Sequence, residues 1–228
     1  MTVAAVVTAA GSGTRLGAAV PKALLPIEGR ALVAWALDGI CQAADAVVVT
    51  APQSHLDAFR EAVDGRATVV GGGVTRQESV ALGLAALDLA DEDIVLIHDA
   101  ARAFQTVDTM RATVAAVEAG ADGAIPVVPV VDTLVAAPGP DGALGEPVDR
   151  HAFRSVQTPQ TFRARVARDA HARGRAGATD DATLARELGY RVIAVEGHAW
   201  GFKVTRPADL PLALHIASLS DHPAKEDA

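Results

Sequence analysis

The 228 residues carry 28 acidic against 20 basic side chains. The resulting formal charge of −8 excludes long-range attraction to nucleic acid and leaves room only for a local cationic pocket. Half of the residues are hydrophobic and only 4% aromatic, a composition that suits close α/β packing and excludes a disordered chain. No apolar run reaches the roughly 18 residues of a membrane span, and no basic stretch precedes the first apolar run as it does in a signal peptide. The one cysteine, Cys41, excludes an intrachain disulfide and is expected to be a buried, inert thiol. These features point to a cytoplasmic protein with neither membrane nor nucleic acid as partner.

The predicted elements alternate strand and helix. Val3–Val7 is a first strand, ending in the small-residue loop Ala9-Ala10-Gly11-Ser12-Gly13-Thr14-Arg15, with Pro21-Lys22 close behind. Ala31–Cys41 reads as a helix with Leu32, Trp35, Ala36 and Ile40 near one face. A strand (Ala46–Thr50), a short helix (His55–Val63) and a strand (Ala67–Val70) follow. The turn Gly71-Gly72-Gly73 leads to a helix capped by Thr75 and continuing through Leu87. Ile94–Ile97 is apolar throughout, as in a strand covered on both faces. The helix Asp108–Ala119 and the strand Ala124–Val128 complete a βα succession that builds a mostly parallel sheet.

At residue 129 the pattern changes. Val130–Ala137, the turn Pro138-Gly139-Pro140-Asp141-Gly142, and Gly145–Val156 show little helical periodicity and read as a protruding β-arm over 130–157. Such an arm needs a surface to pack on, and a second subunit offers one. Helices then resume at Arg163–Ala172 and at Asp180–Leu188, the latter capped by Thr179. Arg191–Val195 is a late strand, Ala208–Leu219 a final helix entered through Pro207, and Asp221–Ala228 a frayed polar tail. The expectation is one domain over 1–228 with the arm as an appendage.

Three segments can carry chemistry. Ala9, Ala10, Gly11, Ser12 and Gly13 present backbone N–H groups to phosphate, and Arg15 and Lys22 supply positive charge. The alternative is an ordinary βα turn with surface cations. The loop lacks the third glycine of a dinucleotide site and the Gly-Lys-Ser/Thr of a Walker A loop. His98-Asp99-Ala100-Ala101-Arg102 follows the fourth strand, so Asp99 lies at the carboxyl edge of the sheet with the first loop. Asp99 can bind Mg²⁺ bridging triphosphate oxygens. Arg102 can hold a second anion or fix Asp99, and His98 reads either as a packing residue or as an acid or base. Gly72 and Gly73, with Ser79 behind them, allow a flat base close to backbone groups, or simply make a tight turn into a capped helix. Lys203 is a lone lysine in an apolar stretch, and Thr133, Arg150 and Thr158 sit in or beside the arm.

Together these residues resemble the 2-C-methyl-D-erythritol 4-phosphate cytidylyltransferases of the non-mevalonate isoprenoid pathway. The matching pieces are AAGSGTRLG at 9–17, PKA at 21–23, GGGVTRQESV at 71–80, LIHDAAR at 96–102, VDT at 131–133, VDR at 148–150, QTPQ at 157–160, TDDA at 179–182 and FKVTRPADL at 202–210. AAGxGxR alone marks the wider nucleotidyltransferase superfamily. The resemblance implies a Rossmann-like, three-layer nucleotidyltransferase fold and Mg²⁺-dependent transfer of a cytidylyl group from CTP to the acceptor phosphate, releasing pyrophosphate. By the family pattern Arg15, Lys22 and Lys203 act in catalysis. The 9–13 loop, Gly72, Gly73, Ser79 and Asp99 hold the nucleotide, with Asp99 also holding Mg²⁺. Arg102, Thr133, Arg150, Thr158 and Lys203 receive the polyol phosphate, and the arm crosses to the partner of a homodimer. Two departures stand out: Ala23 where many members have glutamine, and Trp200-Gly201 where many have a polar stretch with asparagine. A pentitol-phosphate cytidylyltransferase and a non-catalytic nucleotide-binding module are the alternatives, and a dinucleotide oxidoreductase is disfavoured by the opening loop.

Overall fold

The computed structural model describes residues 1–11, 20–178 and 180–220 of the chain. Strand β1 (Val3–Thr8) divides its side chains between two cores, Ala5 and Val7 facing one, Ala4 and Val6 the other. A strand covered on both faces has no solvent side to mark with polar residues, so its sequence runs apolar without alternation. A short hairpin, β2 (Pro26–Ile27) and β3 (Arg30–Ala31), turns at Glu28 and Gly29, both at positive φ. Its two-residue strands are too brief to give a periodic signal.

Helix α1 (Leu32–Ile40), β4 (Ala46–Ala51), α2 (Leu56–Val63), β5 (Thr68–Gly71), α3 (Arg76–Ala85), β6 (Ile94–Asp99), α4 (Val107–Glu118) and β7 (Gly123–Pro129) keep the expected succession, within a residue or two of the predicted bounds. β1 lies between β4 and β6 with β5 beyond β4, all parallel. The register sets Thr8 beside both Thr50 and Asp99, so polar residues meet where the strands end. Helices α1, α2 and α4 cover one face through residues such as Leu37, Phe59 and Met110. The other face is covered by α3 together with two later helices. α3 approaches β1 so closely that a Cβ on Gly83 would stand 2.4 Å from Val6 Cγ1.

Past β7 the sheet becomes mixed and departs from the expected pattern. The arm is narrower than 130–157: β8 (Leu134–Val135) and β9 (Pro147–Val148) form its hairpin, whereas β10 (Arg154–Val156) joins the main sheet antiparallel to β7. Strand β11 (Gln160–Arg163) runs antiparallel between β6 and β7. Its buried Gln160 and Thr161 hide it from a search for apolar runs. Both are satisfied internally, Thr161 Oγ1 lying 2.7 Å from Thr113 Oγ1 and Gln160 Oε1 accepting the Ala182 N–H at 2.8 Å. After α5 (Ala164–Arg173), helix α6 (Asp181–Glu187) is capped by Asp180, whose carboxylate accepts the Thr183 N–H at 2.8 Å. The cap expected at Thr179 lies outside the described residues.

β12 (Val192–Glu196) pairs in parallel with the other side of β7. The last helix, α7 (Leu210–Ser220), begins later than Ala208, because Pro207–Asp209 forms a 3₁₀ turn. It packs through Ala213 and Ile216 against Ile27 and Trp35. The predicted tail at 221–228 lies outside the described residues. Cys41 is exposed rather than buried, because it follows α1 where the chain leaves the core. Partial burial of its sulfur still pushes the thiol pKa up, so it is not activated. Among the described residues no helix is long and apolar enough to cross a membrane.

Candidate active site

A cavity of about 440 Å³ opens at the carboxyl edge of the parallel strands, where open α/β sheets take their ligands. The end of β1 supplies Thr8, Ala9, Ala10 and Gly11, the turn into α3 supplies Gly73 to Arg76, and the end of β6 supplies Asp99. Lys22 enters from the 3₁₀ turn Lys22–Leu24, and Lys203 from the segment before α7. The structure therefore gathers Ala9, Ala10, Gly11, Lys22, Gly73, Ser79, Asp99 and Lys203 around one space. Ser12, Gly13 and Arg15 lie outside the described residues.

Asp99 is the electrostatic centre. Its Oδ2 accepts from Lys203 Nζ at 2.6 Å, and its Oδ1 accepts from Arg76 Nε and from Thr8 Oγ1, each at 3.1 Å. Burial opposes the charge on Asp99, but Arg76 and then Lys203 outweigh it and hold the carboxyl far below the usual range. Arg76 lines the cavity and holds Asp99, and it was not among the site residues expected from sequence. The signal was present in the motif at 71–80: a cation beginning a helix, where the helix dipole disfavours it, needs carboxylates nearby to hold it. Burial works against its charge, yet Asp181 and Asp99 overcome that and keep Arg76 firmly protonated.

The turn at 71–75 is shaped by its own packing. A Cβ on Gly72 would lie 2.6 Å from Ala10 Cβ, and one on Gly73 would lie 2.3 Å from Glu78 Cβ. Glycine is thus required here by protein–protein approach as well as being suited to a ligand. Thr75 and Glu78 close a capping box on α3. Ser79, 2% exposed, accepts the Gly73 N–H at 3.1 Å and donates to the Thr75 carbonyl at 2.9 Å, so its hydroxyl fixes the turn.

Beneath Asp99 lies a buried polar network. His98 is fully buried; its Nε2 donates to the Arg102 carbonyl at 3.2 Å and its Nδ1 accepts from Thr158 Oγ1 at 3.1 Å. Thr158 Oγ1 in turn accepts the Asp99 N–H at 3.1 Å. Burial pushes the His98 pKa down to about 4, so the ring is a neutral support. Thr158 is 5% exposed and its hydroxyl is engaged on both sides, which places it behind Asp99. Arg102 does not line the cavity: it donates to the Gly201 carbonyl at 2.7 Å and to the Val156 carbonyl at 3.0 Å. Gln105 donates to Gln157 Oε1 and to the Thr158 carbonyl, and Gln157 Nε2 donates to the His198 carbonyl at 2.8 Å.

This network accounts for the departure at Gly201, since a Cβ there would stand 2.4 Å from Gln105 Nε2. Ala23 is 3% exposed, belongs to the core that contains Val7 and Val33, and also borders the cavity. Thr133 and Arg150 remain on the arm and do not line the cavity; Thr133 is exposed and Arg150 Nη1 donates to the Val131 carbonyl.

Comparison with known proteins agrees with this geometry. The family model described as "2-C-methyl-D-erythritol 4-phosphate cytidylyltransferase" matches residues 3–218. The enzyme of that name from Rhodococcus jostii is 41% identical over 222 residues, covering 96% of this chain and 97% of the relative. That from Thermus thermophilus is 44% identical over 222 residues, covering 95% and 98%. A crystal structure of the cytidylyltransferase from Thermus thermophilus superposes with a TM-score of 0.79 at 39% identity, over 96% of this chain and 100% of the other. The chain belongs to the 2-C-methyl-D-erythritol 4-phosphate cytidylyltransferase family, whose members transfer the cytidylyl group of CTP to that acceptor.

Proposed function

We propose that the transfer runs by in-line attack of the acceptor's 4-phosphate oxygen on the α-phosphorus of CTP within this cavity. A bond forms from that oxygen to phosphorus, and the bond to the bridging oxygen of the leaving pyrophosphate breaks with its electron pair. The nucleophile is already anionic at neutral pH, so no strong general base is needed. The difficulty is bringing two polyanions together and stabilising charge on the equatorial oxygens, which is a task for placed cations. Lys22, Lys203 and Arg15 are assigned that role, with Lys22 facing the transition state. Ala9 to Gly13, Gly72, Gly73 and Ser79 hold the nucleotide.

The observation that carries this reading is the carboxylate of Asp99, flanked by Arg76 and Lys203 in the cavity that Lys22 also lines. Among the described residues no group of three or more His, Cys, Asp or Glu side chains forms a metal cage. Asp99 alone fits Mg²⁺ in another way. Among the described residues Oδ1 accepts twice and Oδ2 accepts once, from Lys203, which leaves Oδ2 an acceptor direction among them. Mg²⁺ commonly takes one carboxylate and completes its shell with water and substrate phosphates. When bound, it would neutralise triphosphate charge at Asp99.

The arm supports a homodimer in which Thr133 and Arg150 complete the partner's acceptor site. Both stand away from the cavity of their own chain, and the arm and its flanks expose Val131, Leu144 and Phe153. Arg102 and Thr158 then shape the acceptor side from behind. Incubation with CTP, Mg²⁺ and methylerythritol 4-phosphate should release pyrophosphate, with ribitol 5-phosphate as the parallel acceptor. Release with the first acceptor alone is expected. Release with ribitol phosphate alone would overturn the acceptor assignment, and silence with both would overturn the catalytic reading.

A further inference from the structure

Arg76 is gripped from two sides. Its Nη1 and Nη2 donate to the two oxygens of Asp181 at 3.0 and 2.8 Å, while its Nε donates to Asp99. Asp181 is the first residue of α6 and only 2% exposed. Its Oδ1 also accepts from His171 Nε2 on α5 at 3.0 Å, and the His171 side chain is 3% exposed. A continuous chain of hydrogen-bonded contacts therefore runs from Lys203 through Asp99, Arg76 and Asp181 to His171. It joins the cavity to the layer of helices behind it.

Buried ion pairs are seldom the most stable way to fill such a space, and apolar side chains of similar volume usually do as well or better. Stability alone thus gives little reason for this chain. Its geometry gives another. An unrestrained guanidinium at the start of α3, facing a cavity for polyanions, would turn its two-pronged end toward phosphate. Asp181 occupies that end and leaves Arg76 only its Nε for Asp99. Asp99 is in turn held at the orientation that meets Lys203.

We propose that Asp181, seated by His171, is a positioning residue for cytidylyl transfer, acting on Asp99 and Lys203 through Arg76. The inference rests on the reading of Asp99 as a site residue. Asp181→Asn keeps the side chain's shape but removes the charge that retains the guanidinium. Turnover should fall about tenfold or more, as expected when a supporting contact lets a catalytic group drift. The KM for CTP should not rise by more than about threefold, because no nucleotide contact is removed and the freed guanidinium can only add one to phosphate.

The decisive measurement is a double-mutant cycle with Arg76→Gln, following kcat and both KM values. If Asp181 acts through Arg76, the double variant is no slower than Arg76→Gln alone. Independent, multiplying losses, or full turnover of Asp181→Asn, would overturn the proposal. Should Asp181→Asn fail to fold, His171→Leu decides. His171 borders a mostly apolar space of about 320 Å³ lined by Ala81, Leu84, Ala85, Ala172 and Arg168, which accommodates leucine. That variant should lose turnover about threefold with KM for CTP unchanged, by the same loosening; unchanged kcat would reject the role. Asp99→Asn separates the two levels. If it retains turnover, the reading of the site falls and the inference with it. If it loses turnover while Asp181→Asn does not, the inference alone falls.

Discussion

Lys22 shows how a single side chain is placed without a long element to carry it. Pro21 precedes it, and a 3₁₀ turn of three residues delivers it to the cavity while Ala23 anchors the turn in the core. Because the anchoring and the chemistry sit on adjacent residues, they can be separated. Lys22→Ala should lower kcat by roughly two powers of ten, as does loss of a preorganised donor to a developing oxyanion, and should leave the thermal midpoint nearly unchanged. Near-normal turnover of the pure variant would remove Lys22 from catalysis. At this scale the cavity positions of Asp99, at a strand end, and of Lys22, close behind the small-residue loop, were legible in sequence, and that of Lys203 through the family resemblance. Arg76 was not. Its partner Asp181 lies 105 positions away, and only the fold brings the two within hydrogen-bond distance.

Among the elements, the parallel strands were the most legible and β11 the least. β1, β4 and β6 announce themselves because double burial makes them uniformly apolar, whereas β11 fills its place with Gln160 and Thr161. Polar residues at a buried strand are tolerated when every donor and acceptor is met by a neighbour, and those neighbours, Thr113 and Ala182, are remote in sequence. The arm was legible as an interruption, but its far boundary was not, since the short β10 returns to the main sheet without a change in composition. The arm also carries a prediction. Arg150→Ala should raise the KM for the acceptor phosphate by about tenfold or more, the loss of a charge-assisted contact, with CTP binding little changed. Mixed dimers of Arg150→Ala and Lys22→Ala chains should recover activity at one of two sites. No recovery would assign Arg150 to its own chain's cavity.

For the whole molecule, the buried His98 couples folding to pH. Its pKa is near 4 in the folded protein against an ordinary value of 6.5. Between these values the unfolded chain takes a proton that the native one refuses. This contribution to stability is fully present above about pH 6.5 and is lost progressively as the pH falls to 4, by about 3 kcal/mol. Asp99, whose pKa is depressed instead, adds a further loss at pH values below its ordinary 3.8. Denaturant titrations at pH 7, 6, 5 and 4.5 should show this decline, and His98→Gln should flatten it between pH 6.5 and 4. Equal slopes for the two proteins would show that His98 does not carry the dependence.

One line through the sheet is shared by two strands, β10 pairing with the far end of β7 and β11 with its beginning. Gln157 and Thr158 lie in the gap between them, where side chains that a continuous ladder would send to the two faces are free to reach sideways. From that gap they bind the Asp99 backbone, Gln105 and His198. The interruption works as a junction box: wiring from the nucleotide edge, the segment before α4 and the turn preceding Lys203 all terminates there. Closing it with an uninterrupted apolar strand would strengthen the sheet locally and disconnect these parts from one another.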